Sequence, residues 1–149
     1  STGGDGGSAF YNGGSVSLAG PSANFRVAGG MGGNVGPTSA GAGNGGRGGD
    51  AGVSLGILSL GPGSLFQVAA GNGGSGGTGP QPSAGGRGGD LSLTLGSFSI
   101  AATTQLDFSG GAGGGGGNDT AGGTAGDHRR HPHEETCCGE RDDPGDGQA

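Results

Sequence analysis

Apolar and polar residues alternate along this chain in short runs, and the runs come in pairs. The opening runs are Val16-Ser17-Leu18, Val53-Ser54-Leu55 and Leu91-Ser92-Leu93-Thr94-Leu95, the first read as an earlier relative of the other two. A period of two puts the apolar side chains on one face of a strand. Each is followed by a second alternation, in Phe25-Arg26-Val27, Phe66-Gln67-Val68 and Leu106-Asp107-Phe108. Between the members of a pair lie turn residues, Gly20-Pro21 and Gly61-Pro62-Gly63, where glycine accepts positive φ and proline presets the turn. The pattern predicts three β-hairpins, the third with a longer connection through Phe98, Ser99, Ile100 and Ala101 to Thr104, read either as two strand pairs or as a bulged one.

Every return strand runs into glycine, over Gly29 to Gly36, Gly71 to Gly79 and Gly110 to Gly117. A three-residue period is visible in Gly71-Asn72-Gly73, Gly74-Ser75-Gly76, Gly77-Thr78-Gly79. A left-handed threefold helix has that period and no internal hydrogen bonds, so its amides must bond to neighbouring chains or to water. Short polyglycine II helices and flexible loops between hairpins are the two readings of these runs. Collagen is not one of them, because the Gly-X-Y register breaks after a few triplets and the chain has only 7 proline residues.

The hexapeptide Gly45-Gly46-Arg47-Gly48-Gly49-Asp50 recurs unchanged as Gly85-Gly86-Arg87-Gly88-Gly89-Asp90. An internal repeat of this kind cannot bury its own apolar stripe, so the units must stack on one another, on another subunit, or both. Stacking would bring Arg47 and Asp50 into line with Arg87 and Asp90. The expected fold is therefore an all-β, glycine-rich repeat protein of stacked hairpins and threefold glycine runs, without a helical core. Residues 1–126 form the repeat region, in about three units near 3–44, 45–84 and 85–125, and residues 127–149 form a distinct tail.

Composition sharpens this picture. Glycine supplies 46 of 149 residues, against an average usage of roughly 7%. Each glycine loses more backbone entropy on ordering than any other residue and brings no side chain to bury. With apolar residues at 28%, aromatics at 4% and no Trp, a conventional core is excluded. The net charge of −6, the absence of lysine and the adjacency of only Arg129 and Arg130 argue against a nucleic-acid partner. The uncharged stretch from Ala51 to Gly86 is too rich in Gly, Ser and Pro for a membrane-spanning helix. A chain that starts at Ser1, without Met or an apolar leader, is what signal-peptide removal leaves, which predicts an extracellular or cell-surface location.

These motifs, with Gly-Gly-Ala-Gly-Gly-Gly-Gly-Gly at 110–117, resemble the glycine-rich repeats of bacterial and phage surface proteins. Autotransporter passenger domains, mycobacterial glycine-rich surface proteins and the polyglycine II tips of phage tail-fibre adhesins share the style over roughly residues 3 to 125. The resemblance implies an extracellular structural or adhesive role.

After Gly126 the composition changes, and Asp127 to Cys138 gathers all 3 histidines and both cysteines. His128, His131, His133, Cys137 and Cys138 are the candidate ligands for Zn²⁺ or copper, although their spacing matches no standard zinc motif. In an exported chain Cys137 and Cys138 are alternatively a cross-link between subunits; a plain solvated tail is the third reading. No catalytic constellation is present: Cys137 and His133 lack a cleft and an orienting partner, and no GxGxxG-like match follows a strand and opens a helix.

The expected function is that of a structural subunit of an extracellular filament or surface matrix, non-enzymatic and without a required cofactor, whose partners are copies of itself. Val16, Leu18, Phe25, Val27, Val53, Leu55, Phe66, Val68, Leu91, Leu93, Leu106 and Phe108 are the expected buried assembly seam. An adhesin tip that presents loops to a receptor or glycan is the alternative, with Phe10-Tyr11 as its aromatic pair. Ice binding is a weaker one, because the broken triplets interrupt any repetitive row of small side chains.

Overall fold

A computed structural model describes residues 2–36, 43–78, 81–117, 124–126 and 128–130, the last three as backbone. The described residues contain strands and no helix. The strands are β1 (Ala9–Leu18), β2 (Asn24–Ala28), β3 (Ala51–Leu60), β4 (Leu65–Ala69), β5 (Leu91–Ile100), β6 (Gln105–Ser109) and β7 (His128–Arg130).

The expected hairpins do not form. Strands consecutive in sequence belong to different sheets, one ordered β1-β3-β5-β7 and the other β2-β4-β6, and every pairing is parallel. The short Gly/Pro segments are therefore arches that carry the chain from one sheet to the other, and each strand pairs with its counterpart in the next circuit. Three circuits stack in register, so that Phe25 faces Phe66 and Phe66 faces Leu106.

The register also corrects two local assignments. Val16 and Leu18 pair with Leu58 and Leu60, not with Val53 and Leu55, whose partners in the first circuit are Tyr11 and Gly13. Phe98 and Ile100 lie within β5, so the third arch spans only the residues between Ile100 and Gln105. Each opening strand is thus two alternations joined at a glycine. In β3 the buried apolar side chains are Ala51, Val53 and Leu55, then Leu58 and Leu60, with the phase reset at Gly56-Ile57. A Cβ at Gly56 would stand 2.7 Å from the Gly14 carbonyl oxygen, and one at Gly96 2.6 Å from that of Gly56. No real Cβ comes so close, which explains a column of glycine where the strand kinks.

Leu58 and Leu60 from one sheet meet Phe66 and Val68 from the other in a single core. Its aromatic spine runs from Tyr11 to Phe25 (ring centroids 5.1 Å apart, edge-on), to Phe66 (5.0 Å, stacked) and to Phe108 (6.0 Å, edge-on).

Beyond the strands, the glycine segments form two further layers, and their hydrogen bonds have a period of three. In the triplet 45–47, the Gly45 N–H donates to the Ala84 carbonyl of the next circuit (2.9 Å). The Gly46 N–H crosses to the Gly33 carbonyl of the opposite layer (2.9 Å), and the Arg47 N–H donates to Asp5 Oδ1 of the preceding circuit (2.8 Å). The triplet 48–50 repeats the scheme with Arg87, Gly30 and Ser8 Oγ as acceptors. Each triplet thus satisfies three donors in three directions. The first two positions face backbone, and a Cβ at Gly46 or Gly49 would overlap the carbonyl oxygen of Gly4 or Gly7. In these two triplets only the third position has room for a side chain, and at third positions along the layers Asn, Asp and Ser accept from the backbone of the following circuit. Asn34 Oδ1 takes the Ser75 N–H (2.8 Å), Asn44 Oδ1 the Ala84 N–H (3.0 Å) and Asn72 Oδ1 the Ala112 N–H (2.9 Å).

Candidate assembly surface

The residues expected to form the seam divide by burial. Val27, Val53, Leu55, Phe66, Val68 and Leu91 are buried in the core of the single chain, and Val16, Leu18, Phe25, Leu93 and Phe108 pack partly against it. Leu106 is 42% exposed. The core is closed by neighbouring circuits, so its quality depends on how many neighbours a circuit has.

The middle circuit has two, and its Leu58, Leu60 and Phe66 are at most 2% exposed. Their counterparts in the third circuit are Phe98, Ile100 and Leu106, with 50%, 41% and 42% exposure. Strand β7 pairs with β5 only over Leu91–Leu93. Along the rest of β5 and all of β6 no further described strand follows. The first circuit is the other end of the stack, where β1 and β2 are likewise the outermost strands and Tyr11 is 39% exposed. Parallel strands at an open edge present unpaired main-chain groups in the geometry of the ladder, which is a template for another strand.

A charged ladder runs along the glycine face. Arg47 Nη2 contacts Asp50 Oδ1 at 2.6 Å and reaches up one circuit to Asp90 Oδ2 at 3.1 Å, while Arg87 Nη2 contacts Asp90 Oδ1 at 2.6 Å. The Asp90 N–H also donates to Asp50 Oδ1 (2.8 Å), tying the circuits through backbone as well as charge. On the face of the smaller sheet, Arg26, Gln67 and Asp107 form one column, in which Gln67 Nε2 donates to Asp107 Oδ2 (2.7 Å).

One shallow groove of about 180 Å³ lies on the outer face of the larger sheet, lined by Phe10, Tyr11, Asn12, Gly52, Val53, Ser54, Ser92 and Thr94. That is below the roughly 300–1,000 Å³ of ligand pockets, though Phe10 is 69% exposed beside it. Among the described residues no cluster of His, Cys, Asp and Glu is placed to hold a metal ion. The proposed ligands and cross-link fall elsewhere: His131, His133, Cys137 and Cys138 lie outside the described residues, as does the side chain of His128. No helix among the described residues is long and apolar enough to cross a membrane.

No protein-family description matches the chain, and no curated protein matches it. Among solved structures it is similar to the springtail antifreeze protein from Granisotoma rainieri, a bundle of nine polyproline type II helices whose crystal waters match the ice lattice. The two are 28% identical over 85% of this chain and 84% of the other, with a TM-score of 0.21. A superposition that poor carries no argument about fold or function.

Proposed function

We propose that the chain is a structural subunit of an extracellular filament or surface matrix, assembling through strand edges and glycine layers. The glycine segments are read as polyglycine II helices, supported by the three-residue period of their hydrogen bonds and by the two glycines that the triplets 45–47 and 48–50 require. The observation that carries the reading is the exposure of Phe98, Ile100 and Leu106 at positions that are sealed one circuit below.

Fully burying a Leu, Ile or Phe contributes about 1.5–3 kcal/mol, so covering three half-exposed side chains contributes on the order of 2–4 kcal/mol. Association costs about 4–15 kcal/mol, and apolar burial at this end alone does not meet it. The main-chain bonds of two sheets and two glycine layers, at about 0.5–1.5 kcal/mol each, supply the remainder. Assembly is therefore concentration-dependent and lost when either contribution is removed.

Electron microscopy and light scattering of the purified protein over a concentration series test the reading. Regular filaments above a critical concentration are expected, and a ladder on non-reducing gels that collapses on reduction assigns Cys137 and Cys138 to cross-linking. A compact, monodisperse particle at every concentration overturns it. A second reading, an adhesin surface for a glycan, draws on exposed Phe10 beside the polar side chains of Asn12, Ser54, Ser92 and Thr94. Saccharide binding that Phe10→Ala abolishes is its test.

A further inference from the structure

We propose that a second copy of this chain docks head to tail, its first circuit continuing the third circuit of the copy below, in a register set by Arg26 against Asp107. The inference rests on the self-assembly reading above and adds the docking face, the polarity and the register.

The two ends of the stack are complementary, column by column. Extending the existing pairings by one circuit sets β1 of the incoming copy on β5 and its β2 on β6, with Phe98 on Val16, Ile100 on Leu18, Leu106 on Phe25 and Phe108 on Val27. Phe98 meets the smaller Val16, and Leu106 meets the larger Phe25, so that bulk and gap alternate along the junction. The glycine kink is kept, because Gly96 falls opposite Gly14. The charges match as well. Asp107, exposed at the outer edge of its column, meets the exposed Arg26 of the incoming copy. Arg87 falls in one column with its Asp5, opposite in charge, the column in which Arg47 stands above Asp5 inside the chain. The inverted arrangement, like end on like end, would juxtapose Asp107 with Asp107 or Arg26 with Arg26. Two different faces that join without closing generate an open, polar filament.

One segment already occupies part of this surface. The Thr124 carbonyl accepts from the Gly88 N–H (2.8 Å), the Gly126 N–H donates to the Gly111 carbonyl (2.8 Å), and β7 pairs with Leu91–Leu93. These are the positions that the incoming Asp5, Gly7 and Ala9–Tyr11 would take. A Cβ at Gly126 would overlap the Gly89 carbonyl just as one at Gly49 overlaps that of Gly7. The junction therefore forms by exchange, the first circuit of the second copy replacing residues 124–126 and 128–130. Exposed charge pairs contribute little affinity and act mainly on orientation and association rate.

The test uses the full chain. Asp107→Arg and Arg26→Asp each bring like charges together at the junction and are expected to raise the critical concentration about threefold to tenfold, while the double variant restores it. Gly7→Ala leaves the fold intact, since nothing lies within 4 Å of its Cβ position, and is expected to block assembly by overlapping the Gly89 carbonyl of the other copy. On assembly the β7 amides are expected to lose hydrogen-exchange protection. If wild type assembles but the double variant does not recover and Gly7→Ala assembles normally, the docking face and register are wrong and the self-assembly reading stands. If wild type never assembles, both are overturned.

Discussion

The second and third circuits of this protein are built from nearly the same pattern, yet one is a core and the other a surface. Leu58 and Phe98 stand at one register position, as do Phe66 and Leu106, and burial separates each pair: 1% against 50%, and 0% against 42%. Nothing intrinsic to the side chains makes that difference. A circuit buries its apolar face most completely when another circuit lies on each side, so the energetics belong to the stack and not to the repeat.

The largest effect that would break this comparison comes from deleting the ring at its centre. Phe66→Ala removes a fully buried side chain between Phe25 and Phe108 and is expected to cost about 3–5 kcal/mol. Leu106→Ala, at the same register position, is expected to cost less than about 1 kcal/mol. Urea denaturation of the two variants measures both, and equal costs would mean that the third circuit is covered in solution.

The same contrast appears in backbone. Gly49→Ala drives a Cβ into the Gly7 carbonyl, while Gly7→Ala meets open space. The first is expected to cost about 1–3 kcal/mol or more, as overpacking does, and the second to stay within about 0.5 kcal/mol. Thermal unfolding of dilute, unassembled protein distinguishes them.

The arches allow a finer comparison. The second arch has Gly63 at φ 73°, whereas the first and third hold Ser22 at φ 72° and Thr103 at φ 65° in that left-handed position. A β-branched residue is strained there. Thr103→Gly is expected to stabilise the fold by about 0.5–1 kcal/mol after the entropy that glycine regains in the unfolded chain, read as a shift in the denaturation midpoint at constant slope.

The smallest effect is expected at the charged ladder. Arg47 reaches two carboxylates and Arg87 contacts Asp90, with side chains 40% and 43% exposed. Arg47→Ala is expected to cost at most about 1 kcal/mol, and Arg87→Ala less, both vanishing as salt is raised. A cost that persists in high salt would assign the ladder a packing role.

Much of this architecture is legible in the chain. The duplicated Gly-Gly-Arg-Gly-Gly-Asp marks the length of one circuit, and the alternations at Phe25, Phe66 and Leu106 coincide with β2, β4 and β6 in their observed register. The alignment of Arg47 and Asp50 with Arg87 and Asp90 follows from the same repeat and is realised in the ion pair from Arg47 to Asp90. The half of β1 before Gly14 and the continuations of β3 and β5 past Gly56 and Gly96 were not legible, because a kink that flips the inward face breaks the two-residue period by which a strand is recognised.

What the sequence by itself determined is therefore local: where the chain extends, where it bends, and which third residue of a glycine triplet carries a side chain. Strand partnership was decided only by tertiary structure. An arch and a hairpin use the same Gly-Pro chemistry, and main-chain donors and acceptors are identical at every residue, so alternation cannot say which edge they meet. The parallel stack is favoured because it sets Phe25 on Phe66 and Leu55 on Leu95 and satisfies the glycine amides from circuits on either side. Those contacts exist only after a whole circuit has returned, forty residues along the chain.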